Sequence, residues 1–443
     1  MDGQKRDAWL DALRGIAVLL VLGRHLDLAA PGAELPTALA IWQRGGWVGV
    51  DLFFVLSGFL VAGLLFREHQ QRGSFNVLRF LVRRGLRIYP AFYVLVLVTW
   101  LAYRYFRVPR TSGAGLMAEV FFLQNYFSGM WSHTWSLAVE EHFYLALPIV
   151  LLGVGIFTRS RRDPFRMLLP LAVAVFVGVP ILRCLQSLAV PYRHETHLFP
   201  THLRADALMA GVLLAYVFHY HRAGLERWLV GRRGMLLAAG VAWMAPAFLF
   251  DIESAWLLST LGLSLFALGA VWLIAAGLRG EDHAILGPLG LIGRRSYSIY
   301  LWHMPMLVWG LPLCEKGAGF SVDAGTRIAV YLAGSLGLGA LMAWLIERPV
   351  SWLRDRWAPG KETPAVGVPA GFLLFSGRIR GYDNIHDQGS GGSQQSPEVV
   401  HDALAEIGPG GRNADRAVRP GDGEGFQGGH GHAEEAPAEG RCQ

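Results

Sequence analysis

The segment WVGVDLFFVLSGFLVAGLLF, residues 47–66, is twenty residues long and holds one ionisable side chain, Asp51. At about 1.5 Å per residue, a helix of that length matches the roughly 30 Å of hydrocarbon in a bilayer, so the segment reads as a membrane span. Comparable apolar runs recur on both sides of it, at 8–28, 89–106, 135–157, 167–185, 203–218, 234–250, 255–278, 296–313 and 327–347. The expected fold class is all-α, a polytopic transmembrane helix bundle of about ten helices. Composition points the same way: 53% of the residues are hydrophobic and 17% charged, too few polar side chains to cover a soluble globule of 443 residues.

The formal net charge of +6 does not indicate nucleic acid, because the basic residues fall in short clusters between apolar runs rather than along one face. One cluster, Arg67, Arg72, Arg79, Arg83, Arg84 and Arg87, lies between the second and third spans. Others are Arg159, Arg161, Arg162 and Arg166, then Arg222, Arg227, Arg232 and Arg233. By the positive-inside rule these loops, and both chain termini, are expected in the cytoplasm. Arg104, Arg107 and Arg110 fall on the opposite side and are outweighed. The first run carries Arg14, Arg24 and His25 and ends in no small-residue cleavage site, so it is expected to be a retained helix rather than a signal peptide.

Within 75–88, Arg79, Arg83, Arg84 and Arg87 recur at three- and four-residue spacing between Leu78, Leu81, Val82 and Leu86. That pattern predicts an amphipathic helix on the inner interface. Leu116 to Phe127 is too short to span and predicts a re-entrant or interfacial segment. The domain organisation expected is a membrane domain, 1–357, followed by a cytoplasmic tail, 358–443, rich in Gly, Pro and charge and expected to be disordered. Cys184, Cys314 and Cys442 show no CxxC or zinc spacing, and no metal site is expected.

Ionisable residues inside a span cost a few kcal/mol or more at the bilayer centre, so each is a candidate functional group. Arg14 and His25 are eleven residues apart, roughly 16 Å along a helix axis at nearly the same azimuth. The proposed topology sets Asp51, Ser136, Glu140, Glu141, Arg204 and Asp206 near the outer end of their spans, level with His25. Such a layer holds a base, an orienting carboxylate and further acids where an extracytoplasmic hydroxyl can arrive. Adjacent Glu140 and Glu141 differ by about 100° in azimuth, so one of them faces the site. Glu140 is preferred, because Ser136 and Tyr144 share its face. Below that layer, Arg14, Arg83, Arg84 and Arg87 form a positive path suited to a phosphorylated cytoplasmic donor with a long thin arm, the shape and charge of a coenzyme A thioester. His25 would serve such a transfer as base or as transient acyl carrier. Each residue also has a plainer reading: Asp51 as a polar link between helices, the arginines as headgroup ligands, His303 as a packing residue.

Several stretches together resemble the acyltransferase-3 family of bacterial membrane O-acyltransferases. They are Leu10-Asp11-Ala12-Leu13-Arg14-Gly15 with His25, then Gly49-Val50-Asp51-Leu52-Phe53-Phe54-Val55-Leu56-Ser57-Gly58-Phe59, and Arg83-Arg84 with Arg87-Ile88-Tyr89-Pro90. Trp135-Ser136-Leu137-Ala138-Val139-Glu140-Glu141 with Phe143-Tyr144, Tyr297-Ser298-Ile299-Tyr300-Leu301-Trp302-His303 and Glu347-Arg348-Pro349 follow in order. The resemblance implies that His25 is catalytic and Arg14 essential, and that the acyl group comes from cytoplasmic acyl-CoA, a co-substrate with no permanently bound cofactor. It leaves the acceptor open among lipopolysaccharide O-antigen, exopolysaccharide, nodulation oligosaccharides, peptidoglycan and macrolides. Some members carry a further extracytoplasmic hydrolase-like domain; the tail here looks too short and Gly-rich for one, which suggests the stand-alone form.

The expectation is therefore a multi-pass acyltransferase of the bacterial inner membrane, moving a small acyl group, acetyl by preference, to a polysaccharide or glycolipid hydroxyl. His25, Asp51 and Glu140 are its candidate catalytic residues and Arg14, Arg83, Arg84 and Arg87 its candidate donor-binding residues. Trp135, Ser136, Glu141, Tyr144 and His303 are expected to support them. A proton-coupled transporter or flippase is the rival class.

Overall fold

The computed structural model describes residues 2–106, 112–158, 160, 163–279, 287–318 and 323–357, so the expected tail, 358–443, lies outside the described residues. Every regular element among them is helical. The bundle is built from α1 (Asp2–Arg24), α2 (Val48–Arg72), α3 (Val77–Phe106), α4 (Trp135–Phe157), α5 (Leu168–Ala189), α6 (Ala205–Tyr220), α7 (Arg233–Met244), α8 (Leu263–Ala275), α9 (Ser296–Pro305) and α10 (Ala324–Met342). Six helical stretches among the described residues are long and apolar enough to cross a membrane: Val48–Arg72, Val77–Tyr105, Ser132–Phe157, Leu168–Ala189, Leu258–Ala275 and Ala324–Arg356. The fold is a helical membrane bundle. Of the ten runs in the sequence, the other four coincide with α1, which carries several charges, the shorter α6 and α7, and α9 with its continuation through Leu311–Ala318.

Hydrophobic burial separates inner from outer helices. The most apolar window of α2 is 72% buried against protein, whereas that of α5 is 28% buried, leaving most of its surface for lipid. The inner helix is surrounded by α1, α6 and α8, and its packing with α6 is the most extensive in the bundle. Glycine makes that contact possible. A Cβ on Gly58 would lie 2.1 Å from the Leu208 carbonyl oxygen, and one on Gly211 would lie 2.1 Å from that of Val55. Backbones that close leave no room for a methyl. Gly211→Ala is therefore expected to lower stability by about 1–3 kcal/mol, whereas Gly178→Ala, where nothing stands within 4 Å of the new methyl, is expected to be close to neutral. Thermal unfolding in detergent checks both, and equal midpoints would contradict the close approach.

Two local readings need correction. The basic stretch 75–88 is not a separate surface helix: Val77–Phe106 runs unbroken, with Pro90 inside it. Proline removes one backbone donor and bends a helix without having to end it, so the basic turns continue into the span. The first helix stops at Arg24, before the end of the apolar run, and His25 occupies the turn between α1 and the short helix Leu26–Ala29. Gly46 and Gly49 let the chain entering α2 press on α1, since Cβ atoms there would meet the Leu20 and Ala17 carbonyl oxygens at 2.2 and 2.4 Å. The contact brings the start of α2 against the end of α1.

The segment 116–127 enters through the helix Gly113–Val120 and then turns irregularly, with Phe121 and Phe127 exposed. Its buried anchor is Glu119, whose Oε1 accepts from the Met130 and Trp131 amides at 3.0 and 3.1 Å and from Thr134 Oγ1 at 2.9 Å. Those bonds fix the turn Ser132–Thr134 that starts α4.

Candidate active site

Two cavities lie end to end along the bundle. The inner one, of about 110 Å³, is lined by Arg14, Arg84, Arg87, Ser57, Ser136, Glu140, Tyr144 and Tyr297 with apolar groups of α2. The outer one, of about 300 Å³, is lined by Arg24, His25, Trp47, His133, Trp135, Phe199 and Arg204 among others. Val50 and Tyr300 line both cavities, so they form the partition. Tyr300 is fixed there: its hydroxyl donates to the His133 carbonyl at 2.7 Å and lies 2.6 Å from Ser136 Oγ.

The single layer expected from topology is thus divided. Glu140 sits one helical turn, about 6 Å, beyond Ser136 along α4. It lines the inner cavity with Arg14, Arg84 and Arg87 rather than standing beside His25. Its carboxylate accepts from Ser57 Oγ at 3.0 Å and from Tyr144 Oη at 2.8 Å, while the Arg84 guanidinium lies 5.7 Å from the centre of the Tyr144 ring. Glu141 points elsewhere on α4, taking a hydrogen bond from Tyr89 of α3. Arg14 holds Asp11 at 2.7 Å, and Arg83 reaches Asp355 at 3.7 Å.

His25 opens into the outer cavity without a carboxylate partner among the described residues. The Asp51 carboxylate, expected to orient it, is bound instead by Arg204, with Oδ1 2.6 Å from Nη2. The reason is electrostatic: Asp51 is fully buried between helices, and Arg204, immediately before α6, supplies the cation that neutralises it. What stands against His25 is imidazole. The ring centre of His303 is 5.2 Å away, and that of His133 is 5.0 Å beyond His303. His303 Nδ1 donates to the Tyr300 carbonyl at 2.5 Å and His133 Nε2 to the Leu301 carbonyl at 3.2 Å. A carbonyl only accepts, so in the neutral rings these bonds set both tautomers and leave His303 Nε2 and His133 Nδ1 as acceptors with no partner among the described residues. His133 was not among the sequence candidates; its signal was its place two residues before Trp135.

Sequence reasoning placed Asp206 near the outer end of its span but missed its partner, Arg183, with which it steadies this end of the bundle. Arg183 of α5 is 1% exposed and bonds Asp206 of α6 at 2.5 Å, the Leu203 and Thr260 carbonyls, and Ser264 of α8. Ser264 in turn donates to the other Asp206 oxygen at 2.5 Å.

At Arg84 and Arg87 the inner cavity continues into a vestibule of about 480 Å³. Arg67, Arg72, Arg79, Arg83, Arg84, Arg87 and Arg354 line it, and Glu68 is its one acid among the described residues. Arg84 and Arg87 belong to both spaces. Among the described residues there is no group of three His, Cys, Asp or Glu placed to hold a metal ion.

A family model described as an acyltransferase domain matches residues 7–344. The peptidoglycan O-acetyltransferase OatA of Listeria monocytogenes is 29% identical over 69% of this chain and 50% of its own length. The O-acetyltransferase OatA of Staphylococcus aureus is 26% identical over 77% of this chain and 56% of its own. The chain thus spans about half the length of these curated relatives. No solved structure matches it.

Proposed function

As a member of the acyltransferase-3 family the chain is an acyltransferase, and from that premise we propose that it carries an acetyl group from cytoplasmic acetyl-CoA, through the bundle, to a hydroxyl of a cell-surface polysaccharide. The observation that carries this reading is the pair of cavities meeting at Val50 and Tyr300, arginine-lined on one side and imidazole-lined on the other. In it both termini and the vestibule face the cytoplasm. The phosphates of the donor lie among the vestibule arginines, where bidentate guanidinium bonds suit them. Its thin arm occupies the inner cavity, past Arg14 and Glu140, and the thioester stops at the partition. The acceptor enters the outer cavity, where the parallel, stacked Trp135 and Phe199 rings, 4.8 Å apart, offer an apolar wall for a sugar.

His25 takes the proton of the acceptor hydroxyl as its oxygen attacks the acyl carbon. The C–S bond then breaks, and the departing thiolate recovers that proton. His303, itself fixed by the Tyr300 carbonyl, packs on the imidazole and limits its rotation. The names of the relatives favour a wall polymer over a macrolide as acceptor, and family membership removes the transporter reading. The test uses purified protein, radiolabelled acetyl-CoA and chitotetraose as acceptor probe. Labelled oligosaccharide supports the proposal; uptake or donor turnover never accompanied by acylation of any supplied glycan contradicts it. Arg84→Gln is expected to raise the donor KM about tenfold, the worth of one charge-assisted phosphate bond at about 1.4 kcal/mol. An unchanged donor KM would move the donor's phosphates away from Arg84.

A further inference from the structure

Arg204 stands out once its partners are counted. Its side chain is 2% exposed, Nη2 binds Asp51, and the guanidinium lies 5.4 Å from the Phe54 ring centre and 6.0 Å from that of Trp135. Nε and Nη1 have no hydrogen-bond partner among the described residues, although Arg204 lines the outer cavity with His25. A buried guanidinium with idle donors is costly: an unsatisfied polar group forfeits about 1–3 kcal/mol, and a charged one more. The ion pair with Asp51 and the two aromatic faces hold the group rigidly, so its donors are already oriented before any ligand arrives.

We propose that Arg204 is a catalytic residue whose free N–H groups receive the oxyanion formed on the acyl carbonyl during transfer. This rests on the acyl-transfer reading above. When the acceptor oxygen bonds to the acyl carbon, its proton passes to His25 and the carbonyl π pair becomes a lone pair on oxygen. That negative oxygen is the anion Arg204 meets. Collapse restores the C=O bond and expels the thiolate, which takes the proton from His25. In this role Asp51 is a positioning residue, aiming the guanidinium rather than the imidazole.

The experiment separates Arg204 from acceptor binding by measuring two reactions of the purified protein: acetyl transfer to chitotetraose, and hydrolysis of acetyl-CoA by water, which needs no glycan. Wild type must perform the transfer; its failure to do so would refute the acyl-transfer reading itself, apart from any variant. Arg204→Lys keeps a cation for Asp51 but loses the planar fork. Arg204→Ala opens space for methylguanidinium added to the assay. Loss of an oxyanion donor typically costs about 10²–10³ in kcat, and both variants are expected to lose that much in both reactions, with the acceptor KM changed less than about threefold. Methylguanidinium is expected to restore part of the alanine variant's kcat. A raised acceptor KM with hydrolysis intact would show that the guanidinium recognises the glycan, and would overturn the proposal. So would full kcat in folded Arg204→Lys.

Discussion

Replacing His25 by alanine is expected to reduce acetyl transfer by about 10²–10⁴-fold, the usual worth of a positioned general base, while barely changing the thermal midpoint in detergent. The two halves of that expectation come from the same placement. The imidazole opens into the outer cavity and touches His303, but forms no hydrogen bond to a carboxylate among the described residues, so its removal leaves no buried charge behind. The acid that lines the inner cavity, Glu140, is held by Ser57 and Tyr144, so the transfer is expected to depend on His25. Initial rates with radiolabelled donor, measured beside the thermal midpoint, check both parts. Retained activity would remove His25 from the reaction, and loss of both activity and stability would make it a packing residue.

The second large effect is on stability. Asp206→Ala is expected to cost about 3–5 kcal/mol, because it strands the Arg183 guanidinium in the interior. That guanidinium binds elements of α5, α6 and α8 together, and its other ligands are neutral carbonyl and hydroxyl oxygens. Arg183→Leu combined with Asp206→Leu removes both charges and is expected to recover most of the loss, since a buried pair is worth little against well-packed apolar groups. Unfolding midpoints of the single and double variants decide the matter. A mild single variant would mean that the pair does not carry the junction.

The positions of the apolar runs, the intramembrane charges and the motif order were legible in the sequence because each is a local pattern: length against bilayer thickness, charge against hydrocarbon. Those patterns suffice for a helical bundle and for membership of the family. They do not reveal which polar groups meet. Asp51 and His25 were placed at one depth, yet the carboxylate is taken by Arg204, more than a hundred residues away, because azimuth and partner are set by packing that no local period encodes. The same holds for Glu119, whose three bonds shape the turn carrying His133, and for Arg183. The unbroken α3 was obscured by Pro90, which invites a boundary where the chain makes none.

In the proposed reaction one route joins an arginine-lined donor site to a histidine-lined acceptor site on the other face of the membrane. Sided proteoliposomes test it most directly, with the protein oriented uniformly, acetyl-CoA supplied only on the vestibule side and chitotetraose only on the His25 side. Acetylated oligosaccharide is expected in the acceptor compartment, and none when the two reagents exchange sides. Product that forms only when donor and acceptor share a compartment would contradict it.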